Sequence, residues 1–124
     1  MSSAWKHSAW KHAGKLHLYA QDDNHDDAWI VGDRVALTAL RDALNQVLDG
    51  PHPATGVQAF CEDGEGYTTL VMRVDEPDVW RELLLPYARL RTFAHQAPPH
   101  DALHPYQVLG SAQYKRICKQ DQKE

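Results

Sequence analysis

The longest regular hydrophobic pattern in the 124-residue sequence lies over residues 33–49, and it restricts the fold more than any other feature. Asp33 is a favourable N-cap, apolar residues then recur near every 3.6 positions, and Gly50-Pro51 supplies a stop signal. The apolar positions are Val35, Leu37, Leu40, Ala43, Leu44, Val47 and Leu48. The pattern predicts an amphipathic helix over 33–49, whose apolar stripe must be buried against another element.

Two short strand-like segments precede this helix and two follow it. The first pair is separated by the polar loop 22–27, and the second pair by the four-residue loop 63–66, so each pair predicts an antiparallel hairpin. The predicted strands cover 16–21, 28–32, 57–62 and 67–74. The order ββαββα predicts an α+β fold with two layers, in which helix 33–49 covers one face of a four-stranded, mostly antiparallel sheet.

The C-terminal third of the sequence predicts a helical tail. Glu76-Pro77-Asp78 is a turn into a short helix that carries Val79, Trp80, Leu83 and Leu84. Residues 87–96 have helical character, Pro98-Pro99 breaks it, and 105–119 predicts a last amphipathic helix.

Alternation along the strands predicts which side chains share a face of the sheet. Pairing across loop 63–66 places Val57, Ala59 and Cys61 on one face with Leu70, Met72 and Val74. The opposite face then receives His17, Tyr19, Ile30, Phe60, Glu62, Tyr67, Val71 and Arg73. Such an aromatic face must be covered, and we expect the helical tail to cover it, with a partner as the alternative.

The domain organisation follows from composition and from one repeat. The pentapeptide Ser-Ala-Trp-Lys-His occurs twice, at 3–7 and 8–12, with a period that fits neither helix nor strand, so we interpret 1–14 as a flexible leader. Residues 15–124 form a single domain whose helical extension begins at about 87. The longest apolar run, 28–31, is too short for a membrane helix, and no secretory signal is visible. Two cysteines, Cys61 and Cys118, are typical of a reduced, cytoplasmic protein.

Charge is distributed unevenly along the chain. The net charge is −4, but segment 1–17 carries +3, segment 18–86 carries −10 and segment 87–124 carries +3. The acidic middle segment argues against general binding to nucleic acid and favours a basic partner.

Loop 22–27 is the densest polar cluster, and three interpretations of it stay open. Asp22, His25, Asp26 and Asp27 are ligand types for a divalent metal, which would suit a small metal-dependent enzyme. The spacing matches no EF-hand, so we predict no metal and no cofactor. The remaining interpretations are a solvated hairpin tip and a recognition loop for a basic partner. Loop 63–66 is a tight turn rather than a phosphate loop, because no helix follows it.

The segment 18–87 resembles a known class of small bacterial proteins. The residues that carry the resemblance are Tyr19-Ala20-Gln21, the runs 25–32, 39–44 and 63–67, and Leu85-Pro86-Tyr87. In size and make-up the chain is similar to the immunity proteins of interbacterial toxin systems, including contact-dependent inhibition. The resemblance implies a cytoplasmic, non-enzymatic protein that binds and neutralises a cognate toxin domain, often a basic nuclease.

The acidic segment independently favours a protein-binding role, without direct contact to nucleic acid or membrane. Trp29 and Tyr67 are the candidate aromatic anchors of such an interface. The other predicted contact residues are Asp22, Asp23, His25, Asp26, Asp27, Glu62, Asp63 and Glu65. The alternatives are the metal-dependent enzyme described above and a homodimeric scaffold that covers its aromatic face by self-association.

Overall fold

The computed structural model describes residues 13–86 and 102–122, with side chains up to residue 118. The duplication at 3–12 and the helix predicted over 87–96 lie outside these residues. In chain order the elements are β1 (Gly14–Tyr19), β2 (Trp29–Gly32), α1 (Arg34–Asp49), β3 (Ala54–Phe60), β4 (Gly66–Met72), α2 (Pro77–Glu82), α3 (Pro105–Leu109) and α4 (Ser111–Gln122). None of the described helices combines the length and apolar character that crossing a bilayer requires.

The four strands form one mixed sheet in the order β2-β1-β3-β4. Both hairpins are antiparallel, as predicted, and the two central strands, β1 and β3, run parallel. The parallel pair arises because α1 lies between the two hairpins and forms the crossover connection that parallel neighbours need. The predicted α+β class and the mostly antiparallel four-stranded sheet are confirmed.

Helix α1 packs on one face of this sheet through small residues at its N-terminal end. The Asp33 carboxylate caps the helix, since Oδ1 accepts a hydrogen bond of 2.9 Å from the Ala36 backbone N–H. A Cβ atom on Gly14 would lie 2.5 Å from the Ala36 nitrogen, so only glycine lets β1 approach the helix this closely. Leu16, Ala36 and Ala59 form the fully buried cluster beneath this end of α1.

The second hairpin corrects the predicted face assignment. Phe60 pairs with Gly66, so the connecting loop is 61–65 instead of 63–66, and Ala59 pairs with Tyr67. Because a register change by an odd number of residues moves a strand's side chains to the opposite face, Tyr67 lies on the α1 face with Ala59. Val71 is there as well. Leu70 and Met72 are on the opposite face, and Cys61, Val74, Glu62 and Arg73 fall outside the strands.

The first hairpin also differs from prediction at one position. Ile30 pairs with Leu18 and therefore shares the α1 face, whereas His17 and Tyr19 lie on the opposite face with Val31 and Trp29. The prediction for Ile30 was wrong because alternation alone does not determine which residue of β2 pairs with which residue of β1. That pairing depends on the length of the turn between the two strands. Phe60 is on the predicted face, since it pairs with Lys15.

The described part of the tail, residues 102–122, covers part of the face opposite α1. Gly110, at a φ of 92°, divides the predicted helix 105–119 into α3 and α4. Ile117 is buried, and Arg116 lies 3.4 Å from the Ala54 carbonyl oxygen at the start of β3. Between the tail and β4 is a cavity of about 470 Å³ whose walls include Leu70, Met72, Tyr106, Leu109 and Tyr114.

Candidate functional site

The two predicted acidic loops emerge from the same end of the sheet. Because β1 and β3 are parallel neighbours, loop 22–27 after β1 and loop 61–65 after β3 follow the same ends of their strands. The second loop is tied to β1, since the Glu62 backbone N–H donates a hydrogen bond of 2.9 Å to His17 Nε2. The two loops form an extended acidic end of the sheet, in which loop 61–65 begins level with Lys15, four residues before β1 ends at Tyr19.

Loop 22–27 is a compact turn held by its own carboxylates. The Asp23 backbone N–H donates to Asp26 Oδ2 at 3.1 Å, and the Asp26 N–H donates to the Asp23 carbonyl oxygen at 3.3 Å. His25, between them, adopts a φ of 71°, a left-handed conformation that costs energy for a residue other than glycine. Asp22, Asp26 and Asp27 are nonetheless exposed, so their charges face solvent at the hairpin tip.

Glu62 is already paired within the protein. Its carboxylate lies 2.8 Å from Lys15 Nζ on β1. The hydrogen bond from Lys15, followed by its positive charge, holds the pKa of Glu62 below its usual range, and the same pair raises the pKa of Lys15. Both side chains are exposed, so salt weakens their attraction. A basic partner would therefore meet Glu62 as half of an ion pair.

His17 connects this ion pair to the aromatic surface. Because its Nε2 accepts a hydrogen bond from the Glu62 backbone, the neutral ring carries its proton on Nδ1, which donates to the Tyr19 hydroxyl oxygen at 2.7 Å. The two rings meet edge to face, with centroids 5.8 Å apart. Neither His17 nor Lys15 was among the predicted site residues, since their contact with Glu62 depends on the parallel pairing of β1 and β3.

The turn 61–65 takes the place of the tight turn predicted at 63–66. The Cys61 backbone N–H donates to the Glu65 carbonyl oxygen at 2.9 Å, and Gly64 adopts a φ of 93°. Asp63 Oδ1 accepts a hydrogen bond of 3.0 Å from the Glu65 backbone. Asp63 and Glu65 are exposed at the same end of the sheet as loop 22–27.

An exposed apolar edge adjoins loop 22–27. Strand β2 is at the margin of the sheet, and Trp29 and Ile30 are each 60% exposed, with Val31 at 52%. Trp29, one of the two predicted anchors, is thus available at the surface. Ile30 and Val31 were not predicted as site residues, although a run of apolar residues directly after an acidic loop is the signal that marks them.

Tyr67, the other predicted anchor, lies elsewhere. It is half-buried against the core cluster, and its hydroxyl donates a hydrogen bond of 2.6 Å to the Leu16 carbonyl oxygen. Burial raises the pKa of this phenol above its usual value. Because Tyr67 is on the α1 face and Trp29 on the opposite one, the two predicted anchors do not share a surface.

The loops offer no assembled metal centre. Within residues 13–86 and 102–118, no three His, Cys, Asp or Glu side chains are placed so that they could hold one ion. In loop 22–27, carboxylate oxygens of Asp23 and Asp26 accept hydrogen bonds from the loop backbone. This end of the protein presents exposed carboxylates and, on β2, exposed apolar side chains.

No match was found in comparisons of the chain with protein-family models, with curated proteins and with solved structures.

Proposed function

We propose that this chain is a non-enzymatic, cytoplasmic binding protein, an immunity protein that neutralises a basic toxin domain of nuclease type. The observation that carries the proposal is the hairpin β1–β2, where four aspartates of loop 22–27 stand next to the exposed Trp29 and Ile30. An enzyme of this size would need a set of convergent polar groups, whereas a binding protein needs only a charged rim around an apolar anchor.

The charge of the loop supports fast capture of a basic partner. Segment 18–86 carries a net charge of −10, and exposed carboxylates of Asp22, Asp26 and Asp27 concentrate part of it at the hairpin tip. Complementary charge raises association rate constants to as much as about 10⁸–10⁹ M⁻¹ s⁻¹ at low salt. Carboxylates also compete for the Arg and Lys side chains with which a nuclease holds phosphates, so occupancy of that site would block the nucleic acid.

The exposed apolar residues support tight binding. Aromatic residues dominate the energetics of protein interfaces, because they bury a large area for few rotatable bonds. Trp29 offers such an area immediately beside the acidic loop, and Val31 extends it along the same face of the sheet. A partner that covers Trp29 while its basic residues meet loop 22–27 would satisfy both features of the hairpin.

Co-expression with the product of the neighbouring gene tests the class of function. We expect a stable complex after purification and rescue of growth from the toxicity of that product. Failure of both would refute the immunity function. Sedimentation at low micromolar concentration tests the scaffold alternative, since an immunity protein that awaits its partner should sediment as a monomer.

A quadruple change of the aspartates in loop 22–27 to asparagine tests the proposed steering surface. Asparagine keeps an acceptor for the loop's backbone hydrogen bonds and removes only charge, so the association rate should fall about tenfold and become less dependent on salt. The matched control replaces four acids elsewhere in the acidic segment with their amides: Asp42, Asp49, Glu76 and Glu82. Equal effects of the two variants would mean that total charge, rather than this loop, governs association.

A further inference from the structure

Strand β2 leaves a row of backbone groups directed away from the sheet. The Asp33 N–H donates to the Lys15 carbonyl oxygen at 3.1 Å, which fixes the positions at which β1 and β2 exchange hydrogen bonds. Such positions recur at every second residue of an antiparallel pair, so Val31 and Trp29 bond to β1. The N–H and C=O groups of Ile30 and Gly32 therefore point outward, on the side of β2 that has no neighbouring strand within residues 13–86 and 102–122.

This edge is short, at four residues, but it lacks the side-chain devices that commonly prevent strand pairing. Residues 29–32 contain no proline and no charged side chain, and apolar residues are exposed on both faces, with Trp29 and Val31 on one and Ile30 on the other. The opposite margin of the sheet differs, because every residue of β4 except Leu70 is at least half-buried. Thus β2 is the margin at which a further strand can be added.

The charge beside β2 indicates what kind of strand would be added. Only Ala28 separates loop 22–27 from Trp29, so the carboxylates of the loop lie near the N-terminal end of β2. A strand that runs antiparallel to β2 places its own C-terminal end there. A second copy of this chain is a poorer fit, because pairing β2 with its own copy about a two-fold axis would bring each acidic loop to Asp33 and Arg34 after the other strand, and the charges of those two residues cancel.

We infer that β2 binds an extended segment of the partner as a fifth strand, antiparallel to β2, with Lys or Arg at the segment's C-terminal end facing Asp26 and Asp27. The inference rests on the proposed function and specifies how the basic partner is held. Ile30 and Gly32 contribute main-chain hydrogen bonds, and Trp29, Ile30 and Val31 contact alternate side chains of the added strand.

Two end-capped peptides of alternating threonine and valine test this mode on the full chain. They have the same composition and differ only in whether two lysines stand at the C-terminal or at the N-terminal end. We expect the C-terminal lysines to give about tenfold tighter binding, from two exposed charge contacts. We also expect that peptide to slow amide hydrogen exchange at Ile30 and Gly32, measured by NMR. Equal affinities, undetectable binding of both peptides, or unchanged exchange at these two amides would overturn the inference.

A pair of variants separates the backbone contact from side-chain contact. Ile30→Pro removes the outward N–H, at a position where proline costs the β1–β2 ladder no hydrogen bond, while Ile30→Ala keeps that N–H and shortens the side chain. The proline variant should bind the peptide about tenfold more weakly than the alanine variant, the cost of one unmade hydrogen bond. If the neighbouring gene product forms a complex that leaves exchange at Ile30 and Gly32 unchanged, the proposed function stands and this mode of binding is wrong.

Discussion

The buried core and the hairpin β1–β2 use apolar residues in opposite ways. Four of the eight buried hydrophobic positions in the described part of the chain are alanines, and only Leu16 and Ile117 are large and fully buried. At the hairpin the large residues Trp29, Ile30 and Val31 are exposed instead. The core obtains its stability from close approach of α1 to β1 and β3, whereas the large side chains of the hairpin contribute little to it, and the proposed function uses them for contact with a partner.

The largest difference in stability between the core and the hairpin is expected at two leucines of β1. Leu16 is fully buried and Leu18 is 45% exposed, although both are on the α1 face of one strand. We expect Leu16→Ala to lower the free energy of unfolding by about 2–5 kcal/mol, since the small residues around it cannot close the cavity. Leu18→Ala should cost less than about 1 kcal/mol. Urea denaturation measures both, and similar losses would show that the hairpin belongs to the core.

The second prediction compares two tryptophans of equal exposure. Trp29 on β2 and Trp80 on α2 are each 60% exposed, so replacing either with alanine should change stability little. Only Trp29 adjoins loop 22–27. Trp29→Ala should weaken the complex with the proposed toxin partner by about 30-fold, the effect of losing a hot spot of about 2 kcal/mol, measured by calorimetry. If Trp80→Ala weakens it as much, the apolar edge of β2 is not the interface.

The core was predictable from sequence to the extent that local pattern determines it. The spacing of apolar residues and the Asp33 cap located α1 to within a residue, because both signals act over one or two helical turns. Which side chains of β4 share a face with those of β3 depends on which residues form the turn between the two strands. Asp63 and Gly64 suit either a four- or a five-residue loop, and the difference moved Tyr67 and Val71 to the α1 face.

The candidate site was predictable only in part, for a similar reason. The acidic loop 22–27 and Trp29 are contiguous in sequence, so their proximity needs no tertiary information. The contacts of Glu62 with Lys15 and His17 join residues 45 to 47 positions apart, and they follow from the parallel pairing that only the assembled sheet provides. The exposure of Ile30 depends on β2 being at the margin, which the order of strands in the chain does not determine.

The third prediction concerns two arginines, one bound to the core and one on the surface. Arg73 donates from Nη1 to the carbonyl oxygens of Val47 and Leu48, so it supplies positive charge to the C-terminal end of α1, whose last turn has no basic residue. Arg73→Ala should lower the unfolding free energy by about 1–2 kcal/mol. Arg41→Ala, which removes only an exposed pair with Asp42, should change it by less than about 0.5 kcal/mol. Equal losses in urea denaturation would assign Arg73 no role in holding α1.

The smallest effect is expected in the acid dependence of stability, where different groups lower the pKa values of Asp33, the cap of α1, and of Glu62 in the acidic end. Hydrogen bonds from the backbone N–H groups of Ala36 and Lys15 lower the pKa of Asp33 below the ordinary value of 3.8. A carboxyl whose pKa is lower in the folded state contributes stability above its unfolded pKa, and that contribution is lost as pH falls through the folded value. Asp33→Asn should therefore be less stable than the parent at pH 7, and the gap should narrow below about pH 4.

Glu62→Gln should also lower stability at pH 7 and less so at low pH, because the Lys15 side chain lowers the pKa of Glu62. Since this pKa shift comes from an ion pair, the effect of Glu62→Gln should respond differently to salt. At 1 M salt the Debye length is about 3 Å, so the attraction within an exposed ion pair is weakened, whereas short hydrogen bonds to backbone N–H groups are not. Urea midpoints at pH 7 and pH 3, each in low and high salt, distinguish the two. In high salt, the loss of stability caused by Glu62→Gln should shrink, and the loss caused by Asp33→Asn should persist. If high salt removes both losses, Asp33 also acts through long-range charge, and the two carboxylates do not differ in how they stabilise the protein.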